Sequence, residues 1–229
     1  MPDASLPITH ATPSEAGRLD LPGFATLIPG NPAEGLLWAR AGGTPEQGRW
    51  LSYAGWIGEQ PGAGLGVFAP DFATWGPTGR TCWLKMLAEA DAYLNAHDER
   101  WCLRPHARHL LPDPQQCLNL LRSRADQESG GPARIELILE PTAFLTPQML
   151  PTGEDHIARA VAALGDRPEV VALIATNVRT VARDGAEAEL ALCEVEEGEL
   201  PPAWILEPLE AIAARRGLPL FRPSPAPSG

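Results

Sequence analysis

The order of apolar periods between Arg134 and Arg222 constrains the fold more than any other feature of the chain. Arg134–Glu140 (RIELILE) has the length and composition of a strand. Thr152 stands where it caps a helix over Gly153–Leu164, in which Ile157, Ala160, Val161 and Leu164 recur at helical spacing and Gly165 marks the stop. Glu169–Val178 (EVVALIATNV) reads as a second strand, Asp184-Gly185 as a hairpin turn and Glu187–Val195 as the returning strand. Pro202 opens a helix to about Arg216, with Trp204, Ile205, Leu209 and Ile212 on one side. Gly217 ends it, and Leu218–Arg222 is a last short strand. The order β-α-β-β-α-β predicts a ferredoxin-like unit over 133–222, a four-stranded antiparallel sheet with two helices on one face.

Asp126–Pro132 (DQESGGP) is the clearest linker in the chain, and it separates this unit from a part spanning 36–125. There, three short apolar runs, Leu36–Arg40, Arg49–Ile57 and Leu65–Phe68, are divided by Gly- and Pro-containing turns, which predicts a small antiparallel meander. Two helices follow. One runs from Cys82 to about Ala96; the other is capped by Asp113, with Pro114 at its first position and Gln116 at its third. Residues 1–35 are broken by Pro2, Pro7, Pro13, Pro22, Pro29 and Pro32 and read as an irregular arm. Residues 223–229 read as a disordered tail. The fold class expected is α+β.

Composition narrows the function classes. The chain of 229 residues carries 29 acids against 18 bases, a net charge of −11, which argues against general affinity for nucleic acid or an anionic membrane. No apolar run approaches the roughly 20 residues of a membrane helix, and the N-terminus lacks the charged and apolar regions of a secretory leader, so a cytoplasmic location is expected. The four cysteines do not form a disulfide framework. Lys85 is the one lysine, and with the abundant Ala, Gly and Pro it points to a GC-rich bacterial coding bias.

Four constellations carry candidate chemistry. Cys102, His106, His109 and Cys117 lie within sixteen residues, and thiolates with imidazoles are zinc's natural ligands. Their spacing, C-x3-H-x2-H-x7-C, lacks the tight pairs of small zinc sites, so no cofactor is expected and zinc is the metal this set would take. Residues 100–109 hold three arginines (Arg100, Arg104, Arg108), two histidines and no acid, and read as a basic loop suited to carboxylate or phosphate or to the chain's own acids. Thr74–Thr81 (TWGPTGRT) matches a phosphate loop only at Gly79 and Thr81, with Arg80 where such loops have lysine and Pro77 removing an N–H. With Trp75 and Arg104, Arg80 and Thr81 form the candidate anion-binding set. Residues 184–210 carry nine acids and no Lys or Arg, and Glu194, Glu196, Glu197 and Glu199 are the candidate contacts for a basic protein partner. Glu136 and Glu140 share one strand face but stand about 13 Å apart, too far for an acid–base pair.

Three functional readings follow. The first is an acidic binding or accessory protein of the inhibitor, immunity or assembly-factor kind. The second is a small enzyme or binding protein for an anionic ligand held between the two halves. The third is a structural subunit of a larger complex.

Overall fold

The structure, a computed structural model, describes residues 9–13, 19–20, 25–26, 48–55, 72–125, 134–182 and 188–223. Its strands are β1 (Thr9–Pro13), β2 (Leu19–Asp20), β3 (Ala25–Thr26), β4 (Arg49–Tyr53), β5 (Arg100–Arg104), β6 (Ile135–Leu139), β7 (Val170–Ile174), β8 (Asn177–Val181), β9 (Glu189–Cys193) and β10 (Leu220–Pro223). Its helices are α1 (Pro77–His97), α2 (Pro114–Ala125), α3 (Gly153–Leu164) and α4 (Pro202–Arg216).

The main sheet has the order β2-β1-β10-β7-β6-β5-β4-β3, and every neighbouring pair is parallel except β1 with β2. Its centre is the five-strand run β4-β5-β6-β7-β10, curled into a half-barrel. Parallel neighbours need long crossovers, and α1, α2, α3 and α4 each lie between two of these five strands in the chain. The apolar sides of all four helices join one core with Trp50, Trp101, Leu103, Leu137, Leu139 and Leu173 from the sheet. The alternate residues, Leu51, Cys102, Ile138, Ala172, Ile174 and Phe221, form a second buried cluster on the other side. A sheet covered by helices on one face alone buries its other face by curling on itself. A register shift after Leu137 leaves Val171 as an extra residue on β7.

The ferredoxin-like reading is overturned by this pairing. The six elements over 133–222 occur in the expected order, but β6, β7 and β10 stand side by side and parallel. The expected strand Glu169–Val178 breaks at Ala175–Thr176 into β7 and β8, and β8 pairs antiparallel with β9 as a separate ribbon. All five residues of β6 are buried, the mark of a strand covered on both faces. The antiparallel meander is likewise corrected, since β4 is parallel to both β3 and β5. The segment read as a basic loop contains β5, with Trp101 and Leu103 on the helix side and Arg100, Cys102 and Arg104 on the concave side.

The local helix signals fared better. Asp113 Oδ1 accepts the Gln116 N–H at 2.8 Å at the start of α2, and Gly217 takes the left-handed conformation (φ 67°) after α4. α1 begins earlier than the apolar spacing suggested, because Pro77 is its first residue. Gly79 is obligatory there: a Cβ would lie 1.9 Å from the carbonyl oxygen of Thr74. The runs Leu36–Arg40 and Leu65–Phe68, the Asp184-Gly185 turn and the 223–229 tail lie outside the described residues, apart from Pro223 at the end of β10. No helix among the described residues is long and apolar enough to cross a membrane.

Candidate functional site

On the concave side, every second residue of a strand points inward, so the last inward position of each strand comes to the same edge of the sheet. At the C-terminal edge these positions are Tyr53 on β4, Arg104 on β5, Glu140 just after β6 and Thr176 just after β7. One hydrogen-bonded chain links all four. The Arg104 guanidinium grips Glu140 with two bonds, Nε to Oε2 at 2.5 Å and Nη2 to Oε1 at 2.7 Å, and its Nη1 donates to Tyr53 Oη at 2.5 Å. Thr176 Oγ1 donates to Glu140 Oε1 at 2.7 Å. A hydroxyl has one proton, so Thr142 must be the donor in its 2.7 Å contact with Thr176.

Arg104 and Glu140 are buried, while Tyr53 is half-buried and carries the network towards the surface. Burial works against the Arg104 charge, but the neighbouring Glu140 and Tyr53 hold its pKa above the ordinary value. Burial raises the Tyr53 phenol; the Arg104 charge opposes the rise and Glu140 adds to it.

The loop after β5 folds over this edge. His106 and His109 are buried with ring centroids 4.9 Å apart, and His109 meets the Tyr53 ring edge-on at 4.8 Å. The Arg108 N–H donates to His106 Nδ1 at 3.0 Å, so in the neutral ring Nε2 carries the proton. Burial, followed by the Arg104 and Arg108 charges, lowers the His106 pKa to about 3. Burial, then His106 and Arg104, holds His109 well below its usual range. Both rings are therefore neutral at pH 7. Arg108 itself pairs with Glu189 on β9 at 3.7 Å, and His106 and Thr142 share a small pocket with Val178, Leu190 and Leu192 under the β8–β9 ribbon.

The structure divides the residues singled out from sequence. Of the anion-binding set, Arg104 belongs to this edge, with its fork spent on Glu140 and Tyr53. Trp75 and Arg80 line a separate groove between α1 and α2. Thr81 is exposed and bonds back to Pro77 O at 2.9 Å within its own helix. Of the zinc set, His106 and His109 stay together, but Cys102 faces the concave side and Cys117 the helix-side core, so the sheet stands between the two thiols. Burial, with Glu136 second, pushes the Cys102 thiol up, and burial and Asp113 do the same for Cys117. Among the described residues no group of three or more His, Cys, Asp or Glu is gathered to hold a metal.

The acidic candidates sit on a short turn, Val195–Glu197, and its flanks. Asn177 anchors that turn with all its capacity: Nδ2 donates to Val195 O and Leu200 O, and Oδ1 accepts from Val178 N and Leu200 N. Gly198 allows this approach, because a Cβ there would lie 2.1 Å from Asn177 Cγ. Glu196 and Glu197 are exposed, Glu194 is half-buried and Glu199 accepts the Thr180 N–H. Burial, followed by Glu197 and Glu196, raises the Glu194 pKa.

Tyr53, Glu140, Thr142 and Thr176 were not apparent as site residues from sequence. The signal was present only as position, since three of them end a run whose inward alternation becomes visible once the strands are known to be parallel. Comparison with known proteins finds no family model that matches the chain, and no curated protein and no solved structure similar to it.

Proposed function

We propose that the chain binds, and acts on, a small uncharged polar ligand at the C-terminal edge of its sheet. One observation carries the reading: side chains from four adjacent parallel strands converge there in a single hydrogen-bonded chain, Thr142–Thr176–Glu140–Arg104–Tyr53. Parallel β/α sheets hold their ligands at this edge, because the loops that follow the strands gather around it. That argument is one of architecture, and the ligand class comes from the charges. Arg104 is neutralised by Glu140, Arg108 by Glu189, and both histidines are neutral, which favours a ligand read by hydrogen bonds over an anion. Tyr53 and His106 are the groups assigned to meet it; Arg104, Glu140 and Thr176 position Tyr53. Edge residues come from both sides of the 126–132 stretch, in keeping with a site shared between two parts of the chain.

The test is native mass spectrometry of wild type and Tyr53→Phe, exposed to neutral sugars and polyols and to their phosphorylated counterparts. Neutral adducts on wild type that disappear in Tyr53→Phe are expected. Adducts confined to the phosphorylated compounds, or unchanged by the substitution, would sink the reading.

A second reading keeps the acidic turn as a contact for a basic protein. It is favoured by the rigid seat that Asn177 makes for Glu194, Glu196 and Glu197, none of which forms an ion pair with a described residue. Charge reversal at these three positions should abolish salt-sensitive partner capture without unfolding the chain, and capture that survives it at low salt would end this reading.

A further inference from the structure

The groove between α1 and α2 lies apart from the edge just described. It encloses about 640 Å³, within the usual range for small-molecule sites. Trp83 and Leu87 from α1 and Leu111 and Leu120 from the opposite side give it an apolar floor. Among the described residues the large hydrophobic side chains that stay exposed are Phe72 (89%), Trp75 (42%) and Leu84 (57%); Trp75 and Leu84 line this groove, and Phe72 meets the Trp75 ring edge-on at 6.3 Å. Exposed apolar groups gathered at one place mark a contact surface, whereas scattered ones mark nothing. Trp75 is held in position, since its indole N–H donates to His109 O at 3.2 Å, and its ring forms a fixed wall.

The charge on the groove is the second observation. In a chain of net charge −11, no acid among the described residues lines it, and Arg80 is the charged group that the described lining contains. Arg80 makes no ion pair with a described residue, unlike Arg100, Arg104 and Arg108. Gln116, Asn119 and Ser123 add neutral polar groups along α2. We propose that this groove binds a small amphipathic carboxylate, its apolar body between Trp75 and the leucine floor and its carboxylate on Arg80. A guanidinium fork suits a carboxylate, and a planar aromatic wall suits a flat or extended apolar body.

The probes are decanoate and its uncharged counterpart decanol, titrated by calorimetry and by tryptophan fluorescence against wild type, Arg80→Gln and Leu84→Glu. Arg80 and Leu84 are both exposed, so neither substitution disturbs the core. Saturable decanoate binding is expected, with quenching of fluorescence from the groove tryptophans. Arg80→Gln should weaken it about tenfold, the loss of one charge-assisted contact, and leave decanol unchanged. Leu84→Glu should abolish both. Three results would each overturn the proposal: no saturable binding, equal affinity for decanoate and decanol in wild type, or decanoate binding indifferent to Arg80→Gln. So would concentration-dependent dimerisation that Leu84→Glu removes while no carboxylate binds, because the groove would then belong to a second copy.

Discussion

Strands β5 and β6 carry an arginine and a glutamate at each end of their concave face: Arg100 with Glu136 at the N-terminal end, Arg104 with Glu140 at the C-terminal end. The side-chain chemistry is the same, and four residues of strand separate the two pairs in each case. Their surroundings differ. At the N-terminal end Glu136 receives two arginines, Arg49 at 2.9 Å and Arg100 at 2.7 Å, and the Cys102 thiol at 3.2 Å. Those arginine side chains are 29% and 39% exposed, so water shares their charge. At the C-terminal end one arginine is closed off with one glutamate, and the ring of neutral groups around them includes Tyr53, His106, His109 and Thr176. A pair that water reaches is a clamp between strands. A pair sealed among neutral donors and acceptors is a fixed dipole that holds a phenol in place. The contrast matches the division of labour in β/α barrels, where the N-terminal face serves stability and the C-terminal face chemistry.

The largest expected effect separates the two glutamates. Glu140→Gln leaves the Arg104 charge buried without its counter-ion and should cost about 3–5 kcal/mol in urea unfolding. An equal loss from Glu136→Gln would erase the distinction between the ends.

The next effect is in pH. Neutral imidazoles are favoured in the folded state, since the His106 pKa falls to about 3 and that of His109 is also depressed, against about 6.5 when unfolded. Below pH 6.5 the unfolded chain binds protons that the native state refuses. Their contribution is complete above that pH and is lost as pH falls, with a slope that steepens from about 0.7 kcal/mol per unit at pH 6.5 towards about 1.4 for each histidine. Denaturant midpoints between pH 6.5 and 5, above the range where carboxylates titrate, should show this slope. His106→Asn, whose side-chain oxygen replaces Nδ1 as acceptor for Arg108, should halve it. A flat profile would mean that the edge is not sealed.

Glu136→Gln should cost less, about 1–2 kcal/mol, because both arginines keep access to water. The smallest effect belongs to Cys102→Ala, at about 1 kcal/mol, since Glu136 retains its two guanidinium partners. A larger loss would show that the thiol is a structural member of the clamp.

Much of the element list was legible in the chain. α2, α3 and α4 lie where Asp113-Pro114, the Ile157-Ala160-Leu164 stripe and Pro202 with Gly217 placed them, because caps and periodicity act within a few residues. The strand partners were not legible. An order β-α-β-β-α-β suits an antiparallel sheet or a parallel one, and the choice lies in contacts far apart in sequence. The clue was the unbroken apolar run of β7 and the successive apolar residues Leu137, Ile138 and Leu139 of β6, which an antiparallel sheet with one wet face would not need. By its charges the Arg-Trp-Cys-Leu-Arg stretch reads as a loop. Its two outer arginines are in fact the ends of one inward row, and its tryptophan and leucine belong to the opposite face.

Local rules and composition alone were enough to identify the four helical segments, to bound α2, α3 and α4, and to show an acid excess with bases almost entirely arginine. These are local or additive properties. Only the tertiary structure decided that β4, β5, β6, β7 and β10 run parallel in one curled sheet. It alone decided that Tyr53, Arg104, Glu140 and Thr176, spread over 53–176, meet at one edge. The reason is physical: inward alternation names a face but not a neighbour. The neighbour is set by how four helices, all on one side, pull the strands into register.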